Sequence, residues 1–160
     1  NEKEIKRAGM DYWEKLDVTR YMNFDTFYEQ YREYANRIAG QESAESVEQQ
    51  EELRKEQQKA GAVECRKPRL WMATTKAKRA YTEVDFGPDD FIMFGKESAG
   101  IPEEILVEHE EDCIRIPMLP DIRSLNLSNA VAIVLYEALR QNDFESMQRA
   151  GELHRLHWKE

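Results

Sequence analysis

A chain of 160 residues is the length of one ordinary domain built on a single core, and with 41% hydrophobic and 34% charged residues it reads as globular with a heavily solvated surface. No apolar run approaches the roughly 20 residues a membrane-spanning helix needs, and Cys65 and Cys113 form no CxxC or other metal-ligand spacing, so both read as reduced thiols in a reducing compartment. The net charge of -9 argues against a uniformly phosphate-binding surface, but the sum hides its distribution, and part of the acid sits between 41 and 58. Basic residues gather at Lys3, Lys6 and Arg7, at Arg66, Lys67 and Arg69, and at Lys76, Lys78 and Arg79, leaving local patches able to hold a nucleic acid.

In chain order, Phe24, Phe27, Tyr28, Tyr31, Ala35 and Ile38 recur every three or four residues, which predicts an amphipathic helix over 23–38, capped by Asn23 or Asp25 and ending at Gly40. Its aromatic stripe reads as core. The Glu- and Gln-rich stretch that follows cannot build a core and reads as a charged insertion, a solvated helix or a loop, over about 40–66. Three apolar runs predict buried strands at 70–75 (LWMATT), 91–94 (FIMF) and 113–118 (CIRIPM), with a short helix at 101–108 led by Pro102. Strands without polar alternation suit a mainly parallel sheet covered by helices, an α/β fold. Residues 128–141 (SNAVAIVLYEALRQ) are apolar nearly all round and predict a helix buried against more than one partner, one of them a second subunit. The tail, 142–160, is open to another helix carrying Met147, Leu153, Leu156 and Trp158. His154 and His157 have no acid or cysteine placed to complete a metal site, so no metal is expected.

Two segments carry chemistry. PDIRSLNLSNA places Arg123, Ser124, Asn126, Ser128 and Asn129 between a predicted strand and a predicted helix, where polar groups need partners. Helix capping by Asn126 or Ser128 accounts for one side chain; a ligand at the carboxyl end of a parallel strand accounts for more. In FGKESAGIP, Gly95 and Gly100 permit a tight turn. The phosphate-loop pattern fails there, because Asp90 stands for its first glycine and Glu97 for its Ser or Thr.

Together, FGKESAGIPEEI and IRIPMLPDIRSLNLSNAVAIVLYEALRQ resemble the second and third motifs of the SPOUT class of RNA methyltransferases, and most closely the TrmL type, the tRNA (cytidine/uridine 2'-O-ribose) methyltransferases of the wobble nucleotide. KRAGMDYWEKLDV resembles the segment after that family's second strand, and LWMATTKA the strand and loop before the second motif. The likeness spans the chain apart from 40–66 and the tail. It implies S-adenosylmethionine-dependent 2'-O-ribose methylation of tRNA in the anticodon loop, with S-adenosylhomocysteine as product. It also implies a single methyltransferase domain over 1–160, doubly wound and mainly parallel, with a C-terminal deep trefoil knot, and a cytoplasmic homodimer without membrane attachment. The cofactor would lie in the knot, held by backbone around Ala73, Gly95, Ile116 and Leu125 with Ser124 and Glu97 close by. Arg123 is the candidate for substrate phosphate, with Asn126, Ser128 and Asn129 on the RNA side, against a surface ion pair for Arg123. The catalytic group is unknown from these residues: the family's arginine belongs to a first motif that, with the first strand and any organellar address, would lie before Asn1. Two other readings stand beside this one, a catalytically impaired SPOUT-like RNA-binding and dimerisation module, and a plain nucleotide-binding α/β enzyme that prefers a dinucleotide.

Overall fold

The structure, a computed structural model, describes residues 16–44, 66–121 and 123–156. Most of the charged insertion, Cys65, Trp158 and the greater part of KRAGMDYWEKLDV lie outside them. The chain divides into two compact units, Asn1–Arg37 and Ile38–Glu160.

Helix α1, Phe24–Ala44, begins in the first unit. Asn23 caps it, its Oδ1 accepting from the Thr26 N–H at 2.9 Å and the Thr26 hydroxyl at 2.8 Å. The expected stripe is its less exposed face: Ala35 is fully buried, Phe24 stacks on Tyr28 with centroids 5.3 Å apart, and Phe27 on Tyr31 at 6.3 Å. Gly40 does not end the helix as the sequence suggested. It lacks the positive φ that a glycine stop uses, and the helix runs on through GQESA to Ala44.

The second unit holds a three-stranded parallel sheet in the order β2-β1-β3, formed by β1 (Leu70–Ala73), β2 (Phe91–Phe94) and β3 (Cys113–Ile114). Leu70 lies opposite Phe91 and Ala73 opposite Phe94, while Met72 and Ala73 face Cys113 and Ile114. The central strand is deeply buried, with Leu70, Trp71 and Met72 each 3% exposed or less. Expected to reach residue 118, β3 stops at Ile114. Beyond it Arg115 leaves the sheet to pair with another loop, donating its N–H to the Arg79 carbonyl and accepting from the Tyr81 N–H, both at 2.9 Å. Pro117 then has no N–H to offer a ladder. Helix α2, Glu103–Glu108, follows Pro102, and helix α3, Leu127–Gln141, follows Asn126.

Trp71, Val84, Phe86, Ile114 and Val134 form the core, with Trp71 edge-on to Phe86 at 5.6 Å. The C-terminus of α3 is tied to the 84–86 segment by side chains that mimic a strand. Gln141 accepts from the Phe86 N–H at 2.7 Å and donates to the Val84 carbonyl at 3.0 Å, and Asn142 donates to the Phe86 carbonyl at 3.0 Å. Glu137 receives Arg140 through both oxygens at 2.8 Å and Gln141 at 2.9 Å, which together hold its carboxyl down at about 2.

Within this chain the sheet covers one side of α3 only: Val134 is fully buried, while Leu135 is 43% and Tyr136 56% exposed. One further expectation, a helix in the tail, is corrected. No helix forms over the described part of the tail. After Gln141 the chain turns through Asp143, Phe144 and Ser146, all at positive φ, with the Phe144 N–H closing on the Leu139 carbonyl at 2.8 Å. A side chain at such a φ costs about 1 kcal/mol or more. Among the described residues no helix is long and apolar enough to cross a membrane.

Gln141→Ala should lower unfolding free energy by about 1–3 kcal/mol, since it strands a backbone donor and acceptor on the 84–86 segment, measured by urea denaturation. The Glu137 carboxyl titrates lower folded than unfolded, so its contribution is full above pH 4.5 and is lost as pH falls from there toward about 2. In a pH series of unfolding midpoints, Glu137→Gln should flatten that limb and leave the neutral range with a constant offset.

Candidate functional site

Because the strands run parallel, the carboxyl ends of β1 and β2 and the segment after β3 emerge along one edge of the sheet. A cavity of about 290 Å³ opens there. Its walls come from four loops: 73–76 after β1, 94–101 after β2, Ile116 and Met118 after β3, and Ser124, Leu125, Leu127 and Ala130 at the entry to α3. That volume sits at the lower end of the ~300–1,000 Å³ typical of small-molecule sites.

The loop after β2 owes its shape to backbone. Lys96 and Gly100 exchange two hydrogen bonds, Lys96 N–H to the Gly100 carbonyl at 3.2 Å and Gly100 N–H to the Lys96 carbonyl at 2.7 Å. Gly100 takes φ 72°, and Gly95 lies so close to the returning strand that a Cβ there would stand 2.1 Å from the Gly100 carbonyl carbon. Ile101, 2% exposed, anchors the return. On the opposite wall, Asn126 caps α3: its Oδ1 accepts from the Ser128 N–H at 3.0 Å and the Ser128 hydroxyl at 2.5 Å.

All six residues singled out for a cofactor, Ala73, Gly95, Glu97, Ile116, Ser124 and Leu125, line this one cavity. The four singled out for RNA do not: Arg123, Asn126, Ser128 and Asn129 are exposed and outside its lining. Asn126 and Ser128 are both spent on the helix cap, so capping accounts for two of these side chains rather than one. Thr74, Lys76, Lys96 and Met118 also line the cavity and were not singled out. The polar TTK directly after an apolar strand was the available signal for the first two, obscured by reading LWMATT as strand throughout when β1 ends at Ala73.

Charge at the site is sparse. Lys76 is held by Glu103 at 2.6 Å, and that lysine keeps the Glu103 carboxyl below its ordinary range. In the two basic patches among the described residues, Arg66 is held in the same way by Asp90, Arg69 by Asp112 and Lys78 by Glu110. A second cavity of about 310 Å³ shares Thr74 and Lys76 with the first and reaches Cys113. The Cys113 thiol donates to the His109 carbonyl at 3.3 Å, and burial, with Asp112 and Glu110 nearby, pushes its pKa up. It is therefore a protonated, inert thiol at neutral pH. Among the described residues no group of three or more His, Cys, Asp or Glu is placed to hold a metal ion.

An apolar cavity with few polar groups at the carboxyl edge of a parallel sheet defines a small-molecule site of the open α/β class. Residues 58–136 match the SpoU rRNA Methylase family. The chain is 37% identical over 142 residues to the tRNA (cytidine(34)-2'-O)-methyltransferase of Escherichia coli strain K12, a match covering 88% of this chain and 69% of that protein. A crystal structure of a Bacillus anthracis protein described as an RNA methyltransferase superimposes with a TM-score of 0.65 at 29% identity, covering 92% of this chain and 74% of the other. A second structure, concerned with 2-OH methylation of C/U34 on tRNA, gives a TM-score of 0.58 at 29% identity over 86% of this chain and 63% of that one. The chain belongs to the SpoU methylase family and, within it, to the TrmL-type SPOUT methyltransferases.

Gly95→Ala should collapse the architecture of the loop after β2, since the nearest atoms are backbone and cannot swing aside. The expected outcome is a melting temperature clearly below that of Gly40→Ala, where no atom stands within 4 Å of the new methyl.

Proposed function

We propose that the chain transfers the methyl group of S-adenosylmethionine to the ribose 2'-hydroxyl of the wobble nucleotide in a tRNA anticodon loop. The observation that carries this reading is the convergence of Ala73, Gly95, Glu97, Ile116, Ser124 and Leu125 on one cavity at the carboxyl edge of the sheet. The lining fits the donor chemically. Phe94, Ile101, Ile116 and Leu125 offer apolar surface for a purine and for the methylene groups beside the sulfur, the backbone of the loops offers amides and carbonyls for the purine edge, and Ser124 and Glu97 suit ribose hydroxyls and a cationic end.

When bound, the donor supplies an electrophilic sulfonium methyl, the hard part of the chemistry. The chain's own residues position and exclude. The apolar wall keeps water from the methyl, and the backbone-locked loop fixes where the donor ends and the ribose begins. Orientation of two bound reactants contributes about 7–11 kcal/mol toward such a barrier. Among the described residues Glu97 is the one carboxylate in the lining and no histidine lines it.

The exposed apolar side chains of α3, Leu127, Ile133, Leu135 and Tyr136, support a homodimer packed through that helix. The same reading makes 1–160 one methyltransferase domain with an insertion near 40–66 and a tail from 142, its C-terminal part knotted around the donor, working on tRNA in the cytoplasm. Arg123, exposed and bordering Ser124, is the residue we assign to substrate phosphate.

Calorimetric titration with S-adenosylhomocysteine tests the donor site: saturable one-to-one binding per chain is expected, and a preference for a dinucleotide would sink the reading. Arg123→Ala should reduce methylation of a tRNA transcript about tenfold with S-adenosylhomocysteine affinity unchanged. Loss of cofactor affinity instead would remove Arg123 from the RNA side.

A further inference from the structure

The two lysines that line the donor cavity differ in one respect. Lys76 has its charge matched by Glu103 at 2.6 Å. Lys96 has no ion-pair or hydrogen-bond partner for its ammonium among the described residues, in a chain with 32 acids against 23 Lys and Arg. Arg66, Arg69 and Lys78 each sit on a carboxylate, while Arg79 and Arg115 are joined through their backbones and lie outside the cavity lining. An uncompensated cation beside a cavity proposed to take a sulfonium opposes binding unless an anion stands between them. The root of the side chain is also fixed, because the Lys96 backbone is locked to Gly100 by two hydrogen bonds, and Lys96 is exposed at the outer rim.

We infer that Lys96 holds a backbone phosphate of the RNA substrate at the mouth of the donor cavity and so sets the depth at which the target ribose meets the methyl group. The inference rests on the methyltransferase reading above. The neighbouring Glu97 lines the same cavity, so an acid suited to the cationic donor and a base suited to the anionic acceptor stand side by side in the chain. Lys96 is thus a positioning residue. A lysine suits this task as a flexible point charge on a phosphate, imposing no base preference.

The test compares the protein with Lys96→Met and Lys96→Arg, reading S-adenosylhomocysteine affinity by calorimetry and binding of a labelled tRNA transcript across a salt series. Lys96→Met should weaken tRNA binding about threefold to tenfold and shrink the slope of log affinity against log salt by about one. Donor affinity and melting temperature should hold, and Lys96→Arg should restore tRNA binding. A fall in donor affinity with tRNA binding intact would assign the anion to the donor's own carboxylate and overturn the inference, as would no change in either. If the unsubstituted protein bound neither ligand, the proposed function would fall along with it; failure confined to the Lys96 variants would leave that function standing.

Discussion

The Asp90 carboxylate, its side chain 3% exposed, is the contact on which the rest of the sheet depends. It accepts from the Arg66 guanidinium at 2.5 Å, the Trp71 indole N–H at 2.7 Å, the Arg69 N–H at 2.8 Å and the Gly87 N–H at 2.9 Å. A buried charge is tolerable only with this many donors. Because two of them flank the start of β1 and Asp90 itself immediately precedes β2, the carboxylate pins Leu70 against Phe91. A slip of one residue would send every side chain of the strand to the opposite face. Arg69, laid over the Trp71 ring at 4.1 Å and paired with Asp112, extends the same clamp to the start of β3. One end of the sheet is held by charge, and the opposite end is left to form the cavity.

That division explains why the site is built from backbone and apolar side chains. Among the described residues the carboxyl edge has no comparable hub. Its loops are shaped by the Lys96–Gly100 pair, by the Asn126 cap and by the Arg115 strand fragment bridging to Arg79 and Tyr81. The charged groups that line the cavity are Lys76, Lys96 and Glu97, so the electrostatics of any ligand would be governed by single residues.

Much of this was legible in sequence wherever the signal was local. The spacing of Phe24, Phe27, Tyr28 and Tyr31 marked α1, the apolar runs at 70 and 91 marked two strands at their correct starts, and the polar stretch before α3 marked one wall of the cavity. What escaped depended on residues far apart in sequence. Nothing near Asp90 announces that it will bind an indole and a guanidinium 19 and 24 residues away. Arg115 leaves the sheet because of Arg79 and Tyr81, a pairing that no periodicity within CIRIPM encodes. Gly40 misled because a glycine ends a helix only by adopting positive φ, and here it does not. The apolar circumference of α3 was visible, but which part of it this chain covers depends on the width of the sheet beneath.

The loop after β2 separates shape from chemistry. Its path is dictated by two glycines, one pair of main-chain hydrogen bonds and the anchor at Ile101, none of which involves the side chains of Lys96, Glu97, Ser98 or Ala99. Those four positions can therefore exchange residues without disturbing the scaffold that presents them. In evolutionary terms the loop is a cassette: substrate preference can drift there at little cost in folding, while a single methyl added at Gly95 would be purged for structural reasons alone.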